Sequence, residues 1–258
     1  MSTLFDMTGQ VALITGSSRG IGKAIAEEMA AHGAKVVISS RKLPVCEEVA
    51  NAINAKHGGG TAIAIAANIS TKESLQALVD ETRARFGKIT ALVCNAASNP
   101  YYGPAAGISD DQFRKILDNN ILSNHWLINM VAPEMLDRGE GSITIISSIG
   151  GLKGSTVLGA YAISKAADMQ LARNLADEFG PKGVRVNCIA PGLIKTDFAR
   201  ALWENPETLD ISTRRSSLRR IGEPEEIAGA AVFLASRAGG FTTGQTIVID
   251  GGNTSSGG

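Results

Sequence analysis

The stretch Val11-Ala12-Leu13-Ile14-Thr15-Gly16-Ser17-Ser18-Arg19-Gly20-Ile21-Gly22 decides how this chain is read. Five residues without polar alternation run straight into a glycine-punctuated turn, and a helical apolar pattern begins beyond it. A strand with no polar side is buried on both faces, so helices must cover a parallel sheet above and below. Glycines at 16, 20 and 22 let the backbone turn sharply and approach another group closely. The helix opening at Gly20 offers free N–H groups and the positive end of its dipole. The turn therefore reads as a cradle for a pyrophosphate; the plainer alternative is a tight strand-to-helix turn.

Outward from this turn the pattern repeats. Val11–Thr15, Lys35–Ser40, Thr61–Ala66, Ile89–Asn95, Ser142–Ser147, Val184–Ala190 and Thr246–Asp250 read as strands. Gly20–His32, Pro44–His57, Thr71–Phe86, Leu158–Phe179 and Glu223–Leu234 read as helices. Asp110–Arg138 reads as one long helical region bent by Pro133. Such alternation implies an α/β fold: a single doubly wound Rossmann domain over residues 1–258, with about seven parallel strands and helices on both faces. Leu193–Ile221 breaks the rhythm. It follows Pro191-Gly192, mixes Phe198, Leu202 and Trp203 with charges, and reads as a lid inserted at the carboxyl edge of the sheet.

Composition excludes several classes. The 258 residues hold 25 Lys plus Arg against 25 Asp plus Glu, a balance unlike that of nucleic-acid binders or polybasic membrane surfaces. The 29 glycines sit in short clusters rather than in a collagen period. No apolar run approaches the length of a membrane helix. Cys46, Cys94 and Cys188 form no Cys-x-x-Cys pair and read as buried, reduced thiols. His32, His57 and His125 have no ligand spacing, so no metal site is expected. Met1–Thr8 lacks a basic or apolar leader, and Ser255–Gly258 lacks a Ser-Lys-Leu-like peroxisomal address. The expected compartment is the cytoplasm. The glycine turn lacks the Lys-Ser/Thr of a P-loop.

The second strand ends in Ser39-Ser40-Arg41. An NAD site places Asp or Glu about 20 residues beyond the glycines, on the ribose hydroxyls. A guanidinium stands here instead, and Arg19 adds a second one inside the turn. Two forked cations and the Ser40 hydroxyl suit a ribose 2′-phosphate, so the expected cofactor is NADP(H). The plainer reading of Arg41 is a solvated surface charge. Farther on, the strand Ser142–Ser147 leads into Ser148, with Tyr161 thirteen residues after it and Lys165 four later. Tyr161 and Lys165 share one helix face. An ammonium beside a phenol favours the phenolate, lowers its pKa from about 10 and lets it exchange protons near neutral pH. Alone, this spacing also describes a packed Tyr and a surface Lys.

Together these motifs closely resemble the classical short-chain dehydrogenase/reductase family, over nearly the whole chain from Thr8 to Gly252, and within it the NADPH-dependent carbonyl reductases and alcohol dehydrogenases. The matching motifs are Thr15–Gly22, Cys94-Asn95-Ala96-Ala97, Asn120 within Asp118–Ile121, Ser148, Tyr161, Lys165, Pro191–Thr196 and Asp250-Gly251-Gly252. The resemblance implies four catalytic residues. Ser148 would orient a substrate carbonyl, Tyr161 would protonate its oxygen, and Lys165 would hold the nicotinamide ribose and tune Tyr161. Asn120 would hold a water linking Lys165 to solvent, with Asn119 as its rival. The implied cofactor site comprises Gly16, Ser18, Arg19, Gly20, Ile21 and Gly22, with Ser40 and Arg41 at the 2′-phosphate. Asn68 and Ile69 would lie by the adenine, Asn95 and Ala96 by the ribose. Tyr161, Lys165, Pro191, Gly192, Ile194 and Thr196 would lie by the nicotinamide. Ala97 and Cys94 depart from the family's usual Gly and Asn, and Asn68 from its frequent Asp. The expected substrate is a bulky, apolar ketone or secondary alcohol, and the expected assembly a homotetramer paired through Asp110–Arg138 and Leu158–Phe179. One alternative is a 3-oxoacyl-carrier-protein reductase docking its acidic carrier on Arg138, Lys182 and the Arg214–Arg220 run. Another is a non-catalytic nucleotide-binding sensor, which degenerate catalytic residues would mark; none is degenerate.

Overall fold

A computed structural model of the protein describes residues 3–255. The outermost positions of the expected domain, residues 1–2 and 256–258, and with them the readings of both chain ends, lie partly outside the described residues. Seven strands form one parallel sheet: β1 (Val11–Thr15), β2 (Lys35–Ser40), β3 (Ala62–Ala66), β4 (Ala91–Cys94), β5 (Gly141–Ile146), β6 (Val184–Pro191) and β7 (Thr246–Ile249). Their order is β3-β2-β1-β4-β5-β6-β7, so the winding reverses between β1 and β4. A crevice opens at the carboxyl ends of the strands at such a reversal.

The register explains why the strands are apolar throughout. Leu13 lies level with Val37 of β2 and Leu92 of β4, and all three are fully buried. They face α3 (Lys72–Phe86), α5 (Ser123–Arg138) and α6 (Gly159–Phe179) through Leu75, Val131 and Met169. Ala12 and Ile14 point the other way, onto α1 (Gly20–Ala31), α2 (Leu43–His57) and α9 (Glu225–Ala235) through Ile25, Met29, Ile53 and Ile227. Burying each large side chain contributes about 1.5–3 kcal/mol, which makes a two-sided core the main source of stability.

The long region expected over Asp110–Arg138 is not interrupted at Pro133, which lies inside α5. The break comes earlier. α4 (Asp110–Leu117) starts at a capping box between Ser109 and Gln112 and gives way to a π turn, Asp118–Leu122. The wider turn buries Asn119 and Asn120, whose amides are satisfied by the β4–α4 loop. Between β6 and α9, in the segment expected to be a lid, lie α7 (Arg200–Trp203) and α8 (Pro206–Arg215), and neither contains a buried residue. The base of the lid is tied by Lys195 N–H to Gly222 O (2.9 Å) and Gly222 N–H to Leu193 O (3.0 Å).

Candidate active site

The glycine turn sits at the reversal point and is braced from behind. The Thr15 hydroxyl accepts from the backbone N–H of Asn95 and of Ala96, each at 3.1 Å. Asn95 Nδ2 donates to Thr15 O at 2.9 Å and Gly16 O at 3.2 Å. A Cβ on Gly22 would lie 2.5 Å from both Gly16 O and Asn95 Nδ2, so only glycine fits. Gly16 and Gly20 have positive φ, +67° and +55°. Arg19 is extended and gives α1 no side-chain cap, which leaves the first-turn N–H groups available to a phosphate. Ser18 and Ile21 are half-buried in the same turn. Thr196, at the root of the lid, faces the turn; its methyl lies 3.2 Å from where a Gly20 Cβ would be. Beside it, Ile194 is buried, Pro191 ends β6, and Gly192 N–H donates to Ile249 O at 2.8 Å. This cradle fits a dinucleotide.

The other cofactor candidates are less uniform. Arg41 is exposed at the end of β2. Arg19 is exposed and ion-paired with Asp197 at 3.4 Å, which links the turn to the lid. The Ser40 hydroxyl lies 3.1 Å from Cys46 Sγ. Asn68 is exposed and its Oδ1 accepts from Ser70 N–H (3.2 Å), while Ile69 packs on the core.

The residues expected to be catalytic gather around α6. Ser148 closes β5, and its Oγ accepts from Gly150 N–H at 3.0 Å. The Ser148 hydroxyl faces the Tyr161 phenol and pulls its pKa downward. The Tyr161 ring tilts against Phe198 of the lid, centroids 6.1 Å apart. Lys165 is buried, with Nζ 5.8 Å from the Tyr161 ring centroid. Nζ donates to Ile146 O (2.8 Å) and to Asp168 Oδ2 (2.9 Å). Burial opposes the Lys165 charge, yet Asp168 and Tyr161 outweigh it and hold the ammonium above its ordinary pKa. For Tyr161 the expected lowering does not prevail. Burial pushes the phenol above 10.0, against the downward pull of Lys165 and Ser148. The spacing gave the neighbour correctly; only packing shows how dry the site is and that Asp168 shares the ammonium.

Asn120 is fully buried. Its Oδ1 accepts from Ser98 N–H (2.8 Å), and its Nδ2 donates to Ser98 O (3.1 Å) and Ser164 Oγ (3.0 Å). Asn119 instead bonds Ser98 Oγ and Ser70 Oγ. Asn120 is therefore the one of the pair that reaches α6.

With this geometry in view, a family profile described as enoyl-(acyl carrier protein) reductase matches residues 16–254. The dehydrogenase/reductase SDR family member 4 of Mus musculus is 38% identical over 250 residues, 96% of this chain and 88% of that protein. The chain belongs to the short-chain dehydrogenase/reductase family. Two solved structures of the family are close in shape. A gluconate 5-dehydrogenase from Burkholderia cenocepacia, in complex with NADP and tartrate, has a TM-score of 0.93 at 32% identity, covering 98% of each chain. A 7α-hydroxysteroid dehydrogenase, complexed with NADH and 7-oxo glycochenodeoxycholic acid, has a TM-score of 0.92 at 36% identity, covering 98% of this chain and 97% of that one. Short-chain dehydrogenase/reductases are oxidoreductases, and this chain is one of them.

Sequence reading missed four residues of the site. Ser17 is fully buried and staples two strand ends, donating to Ile14 O (2.7 Å) and accepting from Ser39 N–H (2.8 Å). Ser98 holds both asparagines. Asn124 and Asp168 are buried beside Lys165. Only Asp168 left a signal: an acidic residue in line with Tyr161 and Lys165, on a helix face that is otherwise apolar.

Proposed function

We propose that this chain is an NADP(H)-dependent oxidoreductase that moves hydride between the nicotinamide and a ketone or secondary alcohol, with Tyr161 as acid and base. The observation that carries it is Tyr161 with Ser148 and buried Lys165 around it, and Asn120 bonded to Ser164 on the same helix. When bound, the dinucleotide supplies or takes the hydride. Ser148 donates a hydrogen bond to the carbonyl oxygen and fixes it beside the phenol. Tyr161 passes its proton to that oxygen in reduction and takes it back in oxidation. Lys165 supplies the positive field at the phenol, and Asn120 fixes the π turn against α6.

Arg41, exposed at the end of β2, supports the preference for NADP(H); Arg19 is also exposed in the turn, where it is paired with Asp197. A bulky apolar substrate is supported by Phe198 over Tyr161, by Gly150 and Gly151 after Ser148, and by a hydroxysteroid dehydrogenase among the structural relatives. Carrier docking finds less support. Arg138, Arg214 and Arg220 are engaged by Glu140, Asp210 and Glu226. The same reading places the protein in the cytoplasm as a homotetramer. Exposed Leu122 and Ile163, at the expected helix pair, support that assembly. No helix among the described residues is long and apolar enough to cross a membrane.

The test is NADPH oxidation with an aryl alkyl ketone, compared with an acetoacetyl thioester by kcat/KM. The ketone is expected to be the better substrate. Tyr161→Phe is expected to lower kcat by at least about 100-fold while NADPH still quenches the protein's fluorescence. Turnover retained in that variant refutes the assignment.

A further inference from the structure

A carboxylate lies against the proposed catalytic lysine, and none of the roles above uses it. Asp168 stands at i+7 from Tyr161 and i+3 from Lys165, on the same face of α6. Its side chain is fully buried. Oδ2 receives Lys165 Nζ at 2.9 Å, and Oδ1 receives Asn124 Nδ2 at 3.1 Å. That same Asn124 amide donates to the main-chain oxygen of Asn120 at 2.7 Å. An unbroken chain of hydrogen bonds thus runs from the π turn through Asn124, Asp168 and Lys165 to Ile146 O at the end of β5.

Resting on the oxidoreductase reading, we propose that Asp168 is a positioning residue: its carboxylate is the fixed counter-ion that keeps buried Lys165 an ammonium, and through Asn124 it holds that ammonium in register with the turn bearing Asn120. Either charge buried alone would be strongly unfavourable, and two fully hydrogen-bonded partners relieve each other. Two of the three Lys165 donors are occupied by Asp168 and Ile146, so the third is the one that can turn to Tyr161 or to a ribose hydroxyl. The pair is neutral as a unit. Asp168 therefore offsets part of the pull of Lys165 on the phenol, and burial keeps Tyr161 protonated at neutral pH.

The other titratable groups facing Asp168 do not compete. Cys188 of β6 donates Sγ–H to the Asp168 main-chain oxygen at 3.4 Å, and Cys94 of β4 feels the same carboxylate. Burial pushes both thiols up, so both stay neutral across the working range. Arg173 on α6 is a further charge acting on Cys188, and Asn124 of α5 is uncharged.

The free chain, labelled with 13C at lysine Cε, tests this by NMR titration, with the Lys165 resonance assigned from Lys165→Arg. Lys165 is expected to remain an ammonium beyond the ordinary 10.5 and, in Asp168→Asn, to lose its proton at least about one pH unit lower. A Lys165 titration at or below the ordinary value in the unaltered chain overturns the proposal without any variant. So does an unmoved titration in a folded Asp168→Asn. If that variant does not fold, Asn124→Ala keeps the carboxylate but removes its link to Asn120, and a smaller downward shift is expected; no shift overturns the coupling. In ketone reduction the alkaline limb of the Asp168→Asn profile should move to lower pH, because both the ammonium and the phenol lose their protons sooner. A merely structural role would lower activity equally at every pH. An unaltered chain without turnover would sink the functional reading and leave the NMR result decisive.

Discussion

Single residues decide this site by what they exclude as much as by what they bind. Gly22 has no room for a methyl group beside Gly16 O and Asn95 Nδ2, so the turn can close on its brace only with glycine there. The proposed role of Arg41 rests on charge. Nothing in β2 or its register requires a guanidinium at its end, and the residue is exposed. A hydrogen bond from a cation to a phosphate is worth about 1.5–3 kcal/mol, or roughly ten- to a hundredfold in affinity. Arg41→Ala is therefore expected to raise KM for NADPH by about that factor and to leave KM for NADH nearly unchanged. Parallel steady-state titrations with the two cofactors check it, and an equal change in both would remove Arg41 from the 2′-phosphate site.

At the scale of elements, the lid is held by few bonds. α7 and α8 bury no residue, so the segment depends on its tied base and on polar contacts such as Trp203 Nε1–H to Thr196 O at 2.8 Å. The fork of Arg220 grips Glu226 at 2.7 and 2.6 Å, and Glu226 also accepts from Glu223 N–H at 2.8 Å. Arg220, aided by that N–H, holds the Glu226 carboxyl down to about 2 from an ordinary 4.5. A depressed carboxyl stabilises the folded arrangement above its unfolded pKa, and the contribution fades as pH falls through the folded value. Protection of residues 193–222 from hydrogen exchange, relative to the intrinsic rate at each pH, should accordingly fall between about pH 4.5 and 2, and Glu226→Gln should show the lower protection already at pH 7. Equal exchange in the variant at pH 7 would show that the base of the lid does not depend on this pair. The π turn makes a related point. Pro133 looked like the place to interrupt a long helix, yet α5 runs on through it. The break falls where two buried amides needed partners.

At the scale of the whole molecule, the sheet carries the site. Ser148, Thr196, the glycine turn and the root of α6 come from four separate parts of the chain and meet only because β1, β4, β5 and β6 lie side by side. Leu92 is fully buried at the centre of that arrangement, in β4 beside β1. Leu92→Ala is expected to cost about 2–5 kcal/mol, mainly through the cavity it leaves. Chemical denaturation monitored by circular dichroism checks it; a loss below about 1 kcal/mol would mean that the core collapses around the gap.

The sequence by itself determined the fold class, the seven strands to within a residue or two, the glycine turn that opens α1 and the placing of Lys165 beside Tyr161. Strand burial, glycine conformation and helical spacing are local properties, written in residues near one another along the chain. Contacts between distant segments are not local. Asn95 as a brace behind the turn, Ser17 as a staple between strand ends, and the Ser98 link to Asn119 and Asn120 depend on which loops the sheet order brings together. The state of Tyr161 and Lys165 was decided in the same way. An i, i+4 spacing places an ammonium near a phenol, but only the packed interior shows that the phenol is dry and that Asp168 and Asn124, reaching in from two helices, take hold of the charge.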